Sequence, residues 1–172
     1  MAALETTLTF LEMTAEPLLH VAPPSKLKLM LARAETPSVG FYRYLYDAVG
    51  RDFHWLDRKK LSDADLTAII RDERVEVWVA YASGQPAGFF EVDARQAPAQ
   101  VELMYLGLLP EFHGCGLGKW LLAEAIRACW DSKPQRIIVE TCTLDGPAAL
   151  PLYQKLGFTP YGRKEKVVEV MD

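Results

Sequence analysis

The feature that most restricts the fold of this sequence is a run of alternate glycines between a strand-like and a helix-like segment. Residues 101–109 alternate as in a β-strand, and residues 117–130 carry apolar side chains at helical spacing. The glycines are Gly114, Gly116 and Gly118. Glycine lets the backbone approach a ligand closely, and the first turn of a helix leaves its N–H groups unpaired. This junction therefore predicts a site for a phosphate or pyrophosphate.

Two common phosphate-binding patterns do not fit the spacing. A P-loop has Ser or Thr after its Gly-Lys pair, whereas Trp120 follows Gly118-Lys119. The dinucleotide-binding fingerprint is G-x-G-x-x-G with an acid about 20 residues later. Glu140 lies at about that distance, but only one residue separates successive glycines here. The spacing thus disfavours both nucleotide-binding folds.

Two segments of the sequence resemble the GNAT superfamily of acetyl-CoA-dependent N-acetyltransferases. The family's pyrophosphate loop, Arg/Gln-x-x-Gly-x-Gly/Ala, is similar to residues 113–118, HGCGLG. Its Ala-x-x-x-Tyr-x-x-x-Gly-Phe segment is similar to residues 149–158, through Ala149, Tyr153, Gly157 and Phe158. The resemblance covers roughly residues 75–158, and the first seventy residues match only in general layout. His113 departs from the usual Arg or Gln, and Gly146 stands where many relatives have an Asn that contacts the cofactor.

The resemblance implies an acetyl-CoA site along this loop. The cofactor would be bound through the backbone of His113, Gly114, Cys115, Gly116, Leu117, Gly118 and Lys119, with Leu106 and Leu108 aligning the pantetheine arm. Tyr153 corresponds to the family's tyrosine, whose hydroxyl can protonate the leaving thiolate; it is alternatively an aromatic at the edge of the core. Strand alternation predicts Glu102 on the same face as Leu106 and Leu108, and we predict that it is the general base, acting through water. A carboxylate satisfied at a strand end is the alternative for Glu102.

The implied reaction is direct transfer of acetyl from acetyl-CoA to a primary amine in a ternary complex. Cys115 is on the pyrophosphate loop, which disfavours a covalent route through its thiol. The acceptor is a small amine or a peptide amine, and the aromatic segment Phe53-His54-Trp55 with Asp57 lies where acceptor-binding helices occur in relatives. Two alternatives stay open, transfer of another acyl group and a non-enzymatic acyl-CoA-binding regulatory module.

Composition excludes several classes of partner. A net charge of −4 without a basic face argues against nucleic acid, and Arg58-Lys59-Lys60 is interpreted as a solvated run. The sequence has no apolar run long enough to cross a membrane, so we expect a soluble, cytoplasmic protein. Its three cysteines lack metal-ligand spacing, and no metal is expected. The sequence leaves a homodimer open.

The remaining pattern predicts an α/β fold, a single GNAT-like domain over residues 1–172. Its mixed, mostly antiparallel sheet would have helices on both faces. Predicted strands are residues 4–13, 26–34, 75–82, 87–94, 101–109, 135–142 and 167–170. Predicted helices are residues 37–49, ended by Gly50, then 62–72 with Ser62 as N-cap, 117–130, and 148–156 with Gly157 as C-cap. Residues 83–86 are predicted to be a hairpin connection.

Overall fold

Seven strands and four α-helices account for most of residues 2–170, the part of the chain that the computed structural model describes. The strands are β1 (Ala2–Met13), β2 (Leu29–Ala34), β3 (Val75–Ala82), β4 (Gln85–Asp93), β5 (Val101–Leu108), β6 (Ile137–Cys142) and β7 (Thr159–Val170). The helices are α1 (Val39–Gly50), α2 (Asp63–Ile70), α3 (Leu117–Trp130) and α4 (Ala149–Lys155). None of the helices in this described part has the length and hydrophobicity needed to span a bilayer.

The strands form one sheet in the order β2-β3-β4-β5-β6-β1-β7. Every neighbouring pair is antiparallel except β5 and β6, which are parallel. The β5–β6 ladder joins only residues 101–103 to residues 137–139, and beyond Leu103 the two strands separate. The structure therefore confirms the predicted mixed, mostly antiparallel sheet and leaves one gap within it.

Helices cover both faces of the sheet, as predicted. On one face α1 and α2 bury a cluster that includes Tyr42, Leu45, Leu66, Val77, Val79 and Phe89. On the other face α3 buries Leu121, Ala125 and Ile126 against Phe90, Val92 and Leu103. Because Phe89 and Phe90 are successive residues of β4, their opposite placement follows from the period of two along a strand. Both helical layers therefore hold the sheet at the strands beside the gap.

The last strand is three times as long as predicted. β7 has twelve residues and pairs with β1 from Ala2 to Glu12, whereas the sequence predicted a strand only over residues 167–170. β7 is an edge strand with exposed side chains at most positions, among them Arg163, Lys164 and Glu165. An edge strand that buries neither face has no apolar alternation to detect, and charges suit it because they discourage pairing with other chains.

α1 ends at Gly50, as predicted. A 3-10 turn that was not predicted follows over Arg51–Phe53, and His54 ends it in the left-handed conformation at φ 58°. The N–H of Trp55 donates to the carbonyl oxygen of Gly50 at 3.1 Å, as in a Schellman cap. This ending turns the chain back so that Trp55 packs against the helix it has just left.

Candidate active site

A cleft of about 750 Å³ opens where β5 and β6 separate. Glu102 and Tyr105 of β5 line it, with Glu140 of β6 and Tyr153 of α4. The turn after α1 contributes Phe53, His54, Trp55, Leu56 and Asp57. The fold thus brings the two predicted catalytic residues, Glu102 and Tyr153, into one cleft from segments about fifty residues apart.

A β-bulge at Met104 changes which side chains of β5 lie on the same face of the sheet, relative to the prediction. Val92 of β4 pairs with Leu103 and Glu91 pairs with Tyr105, so Met104 is an extra residue on β5. Leu106 and Leu108 consequently pack with the α3 side of the core, and Tyr105 packs with the α1 side. The prediction that Glu102 shares a face with Leu106 and Leu108 is wrong; Glu102 shares its face with Tyr105, because one added residue shifts the alternation by one.

The Glu102 carboxyl is partly buried, and that burial raises its pKa to about 7. The carboxylates of Glu140, Asp93 and Glu91 add to the rise, and the Arg58 guanidinium opposes it. A carboxyl with a pKa near neutrality can accept a proton from an ammonium and release it again at the working pH. The environment of Glu102 is therefore suited to a general base.

Tyr153 lies at the inner wall of the cleft and is 8% exposed. Its ring packs edge to face on Phe158, with centroids 5.8 Å apart. Burial, together with the nearby Asp145 carboxylate, raises the pKa of Tyr153. No other residue within 2–170 is hydrogen-bonded to its hydroxyl, which stays protonated at neutral pH and can act as a proton donor.

The glycine-rich turn has the backbone that the sequence predicted. Gly114 and Gly116 have φ values of 76° and 80°, a region that favours glycine. Gly116 is the N-cap of α3 and supplies no side-chain acceptor. Among the described residues, none accepts a hydrogen bond from the N–H groups of residues 114–119. The N-terminus of this fourteen-residue helix is thus open to an anion from outside the protein.

Backbone groups of Leu106 and Leu108 face the gap in the sheet. Leu109 donates its N–H to the carbonyl oxygen of Ala87 on β4 at 2.8 Å. Because N–H groups alternate between the two edges of a strand, those of Leu108 and Leu106 point to the edge that β6 has left. The carbonyl oxygen of Leu108 lies 3.1 Å from His113 Nε2, which ties the turn to the strand.

The remaining loop residues contribute differently. Leu117 is fully buried, so only its backbone is available to a ligand. Cys115 is exposed and its Sγ donates to the carbonyl oxygen of Phe112 at 2.8 Å, outside the cleft lining. Lys119 is exposed in the first turn of α3. Gly146 has φ 93° and ψ 158°, a conformation closed to asparagine, so this loop differs in shape from one that carries the family's Asn.

A buried polar network behind the cleft was missed from sequence. Arg58 is 6% exposed and Glu91 fully buried; Arg58 Nη2 lies 2.7 Å from Glu91 Oε2. The Tyr42 hydroxyl donates to Glu91 at 2.5 Å, and the backbone N–H of Arg58 donates to the Tyr46 hydroxyl at 3.2 Å. The interpretation of Arg58 as part of a solvated run is wrong. A lone carboxylate between Phe90 and Val92 was the available signal, because such a group needs a buried partner.

Comparison with known proteins agrees with this geometry. The model of the acetyltransferase (GNAT) family matches residues 42–158, well over half of the chain. The chain belongs to the GNAT family. The match includes the glycine-rich turn, both candidate catalytic residues, and β5 and β6, the two strands between which the cleft opens. Its N-terminal boundary lies within α1, so the GNAT match also takes in the turn that carries Trp55.

The individual GNAT relatives are similar to this chain at low sequence identity or over only part of their length. The mycothiol acetyltransferase of Paenarthrobacter aurescens (strain TC1) is 32% identical over 117 residues, which cover 61% of this chain and 35% of that protein. The chain thus matches only about a third of that relative's length. A putative GNAT acetyltransferase of Novosphingobium aromaticivorans DSM 12444 superposes with a TM-score of 0.63 at 16% identity, covering 95% of this chain and 63% of its own.

A third GNAT comparison concerns an aminoglycoside acetyltransferase from an uncultured soil metagenomic sample, solved in complex with sisomicin. It superposes with a TM-score of 0.59 at 14% identity, covering 74% of this chain and 86% of its own. At such identities the two structures show that the fold is shared.

Proposed function

We propose that this chain transfers acetyl from acetyl-CoA directly to a primary amine, with both substrates bound together. One observation carries the proposal: a single cleft joins Glu102 and Tyr153 beside a helix N-terminus whose N–H groups have no acceptor among the described residues. In this cleft of about 750 Å³ an amine would lie on the Glu102 side and a pantetheine arm on the Tyr153 side. Family membership supports the choice of acetyl-CoA.

The residues present fit the coenzyme. The backbone N–H groups of residues 114–119 would hold its pyrophosphate, because they meet the positive end of α3 and no side chain caps it. Leu106 and Leu108 would hold the pantetheine arm through the backbone groups that face the gap. Acetyl-CoA would supply an acetyl thioester as the donor.

The chain's own groups divide the proton transfers between them. Glu102 would take the proton that an ammonium must lose before its nitrogen can attack, through a bridging water. A backbone N–H of β5 on the gap edge would stabilise negative charge on the carbonyl oxygen. Tyr153 would donate its hydroxyl proton to the departing sulfur. Cys115 takes no part, because its thiol is hydrogen-bonded within the loop.

A direct test combines calorimetry with turnover. The purified protein is titrated with acetyl-CoA, and release of free thiol is then followed with a panel of primary amines. We expect micromolar binding and amine-dependent thiol release. A parallel assay with propionyl-CoA as the donor measures whether a longer acyl group is transferred as well. Binding without turnover on any amine would instead identify an acyl-CoA-binding module, and absence of binding would refute the proposal.

Tyr153→Phe should lower kcat about tenfold and leave the Kd for acetyl-CoA nearly unchanged. The effect is moderate because a thiol with a pKa of about 8.5 already leaves fairly well as the thiolate. Steady-state kinetics and calorimetry on the same preparation measure the two quantities. Tyr161→Phe is the matched control, since Tyr161 is 46% exposed on β7. An unaltered kcat in the Tyr153 variant would remove this hydroxyl from the acid role.

Gly116→Val should weaken acetyl-CoA binding at least about tenfold. A β-branched residue at φ 80° is strained by roughly 1–3 kcal/mol, and relief of that strain would move the loop amides. Gly84→Val is a matched control because Gly84 has φ 85° in the β3–β4 hairpin, with open space around its Cβ position. Calorimetry should show weakened binding for the first variant only. Equal affinity in both would place the pyrophosphate elsewhere.

A further inference from the structure

The indole of Trp55 occupies a space that Gly50 provides. A Cβ at Gly50 of α1 would lie 2.5 Å from Trp55 Cδ2, which is too close for any side chain. Gly107 of β5 lies next to the indole at an ordinary contact distance, since an added Cβ there would be 3.6 Å from Cη2. Gly50 is the last residue of α1, and the absence of a side chain there lets the indole pack against the end of the helix. Trp55 nevertheless remains partly exposed and lines the cleft.

Aromatic neighbours extend this surface toward the candidate base. The ring of Tyr105 lies 5.0 Å from that of Trp55, and the ring of Tyr46 contacts both, 5.5 Å from Trp55 and 5.0 Å from Tyr105. Because of the bulge at Met104, Tyr105 faces the same side of the sheet as Glu102. The faces of indole and phenol rings carry negative charge density and attract cations. The Arg58 guanidinium already lies over the Tyr105 ring, 5.5 Å from its centroid, so the Trp55 indole is the ring that can receive a cationic ligand.

Most of the charged side chains around this surface are negative. Among residues 2–170, the cleft is lined by five carboxylates and two lysines: Asp57, Glu102, Glu140, Asp145 and Glu169 against Lys60 and Lys166. Asp145 is occupied within the protein, accepting from Thr141 Oγ1 and from the backbone N–H of Cys142. Asp57 and Glu140 are exposed, and neither forms an ion pair with another described residue. The aromatic surface is thus bordered by carboxylates that are available to a ligand.

We propose that the Trp55 indole, packed against Tyr105, forms the acceptor-recognition surface of the cleft and selects primary amines that carry a second cationic group. The inference rests on the proposed function, because it assumes that the reacting amine approaches Glu102. One ammonium would be deprotonated for transfer, while the second lies against the indole and near Asp57 or Glu140. A monoamine would fill the same space but lose the cation–π and ion-pair contacts.

The decisive comparison uses 1,4-diaminobutane and butylamine, which share a four-carbon chain and differ by one ammonium. We expect kcat/KM to be at least about tenfold higher for the diamine in the wild type. In Trp55→Leu this ratio should fall to about two, and in Trp55→Phe most of it should remain. The ratio is taken within each protein, so a loss of folded material cannot imitate the effect. Equal kcat/KM for the two amines in the wild type would overturn the inference.

Tyr44→Leu is the control substitution. Tyr44 is 49% exposed on α1 and does not line the cleft, so its loss should leave the selectivity ratio unchanged. A ratio that falls equally in the Tyr44 and Trp55 variants would also count against the inference, because the change would then not be specific to the aromatic surface.

Calorimetry without coenzyme separates failure of this inference from failure of the proposed function. If acetyl-CoA binds and both amines are acetylated equally well, the proposed function stands and the inference falls. If acetyl-CoA neither binds nor reacts, the proposed function falls, and titration of the protein with each amine then tests the surface alone. Tighter binding of the diamine that is lost in Trp55→Leu would support the surface, and equal affinities would overturn it.

Discussion

Replacing Glu102 with Gln should lower kcat/KM for an amine about 100-fold at pH 8, the contribution typical of a general base. In the wild type the pKa of Glu102 is about 7, and the carboxylate is the active form. The rate should therefore be level above pH 7 and fall about tenfold per pH unit below it. In the Gln variant this limb should vanish, since no carboxyl remains to be protonated. A pH–rate profile from pH 5.5 to 9 measures both effects.

A second pH–rate profile, measured on the Glu140→Gln variant, tests the cause of the raised pKa of Glu102. The Glu140 carboxylate is the largest of the neighbouring charges that raise the pKa of Glu102, so its neutralisation should move the acidic limb to lower pH. The Glu102 variant should remain folded at pH 8, because it removes a partly buried charge whose pKa is raised and whose ionisation disfavours the folded state. A Glu102 variant that keeps both its rate and its acidic limb would show that the base lies elsewhere.

Arg58→Met should lower the free energy of unfolding by about 3–5 kcal/mol, the usual effect of removing one partner from a buried ion pair. Glu91 is fully buried, and its carboxylate would lose the guanidinium 2.7 Å away. Loss of that cation raises the pKa of Glu91 further, so stability should fall as pH rises above the ordinary carboxyl range. The loss should therefore be larger at pH 8 than at pH 5. Urea unfolding at both values is the measurement.

Lys59→Met is the natural control for Arg58. Lys59 is adjacent in sequence, and its ion pair with Asp47 is more than one-third exposed on both sides, so its loss should cost less than about 1 kcal/mol. The double variant Arg58→Met/Glu91→Met should recover part of the stability, because it removes the unpaired charge. Similar losses for Arg58 and Lys59 would contradict the buried-pair interpretation.

The parts of the fold that the sequence predicted are those with a strong local pattern. Alternating or helical apolar residues identified β3, β5 and α3, and glycine spacing identified the loop before α3. The Met104 bulge has no such signal, because apolar residues occupy both faces of β5 after Glu102. Most of β7 was not predicted, because an edge strand with both faces exposed to solvent has no alternation of apolar and polar residues.

The site was predicted unevenly for the same physical reason. Tyr153 and the loop were predicted from short local motifs, and Glu102 was predicted from a strand face shared with Leu106 and Leu108, which the bulge at Met104 removes. The pair of Arg58 and Glu91 spans 33 residues, and Trp55 packs between Gly50 of α1 and Tyr105 of β5, which belong to separate elements. Contacts of this kind depend on the assembled tertiary structure.

The position of β1 has a consequence for biosynthesis. Its two neighbours in the sheet are β6 and β7, so Thr6 meets Thr143 across 137 residues of chain. During synthesis β1 leaves the ribosome first, but its hydrogen-bonding neighbours leave last. Strands β2 to β5 can therefore pair with one another before β1 has a partner. Pairing between segments that are distant in sequence forms slowly. We therefore expect the last step of folding to be the pairing of β1 with β6 and β7.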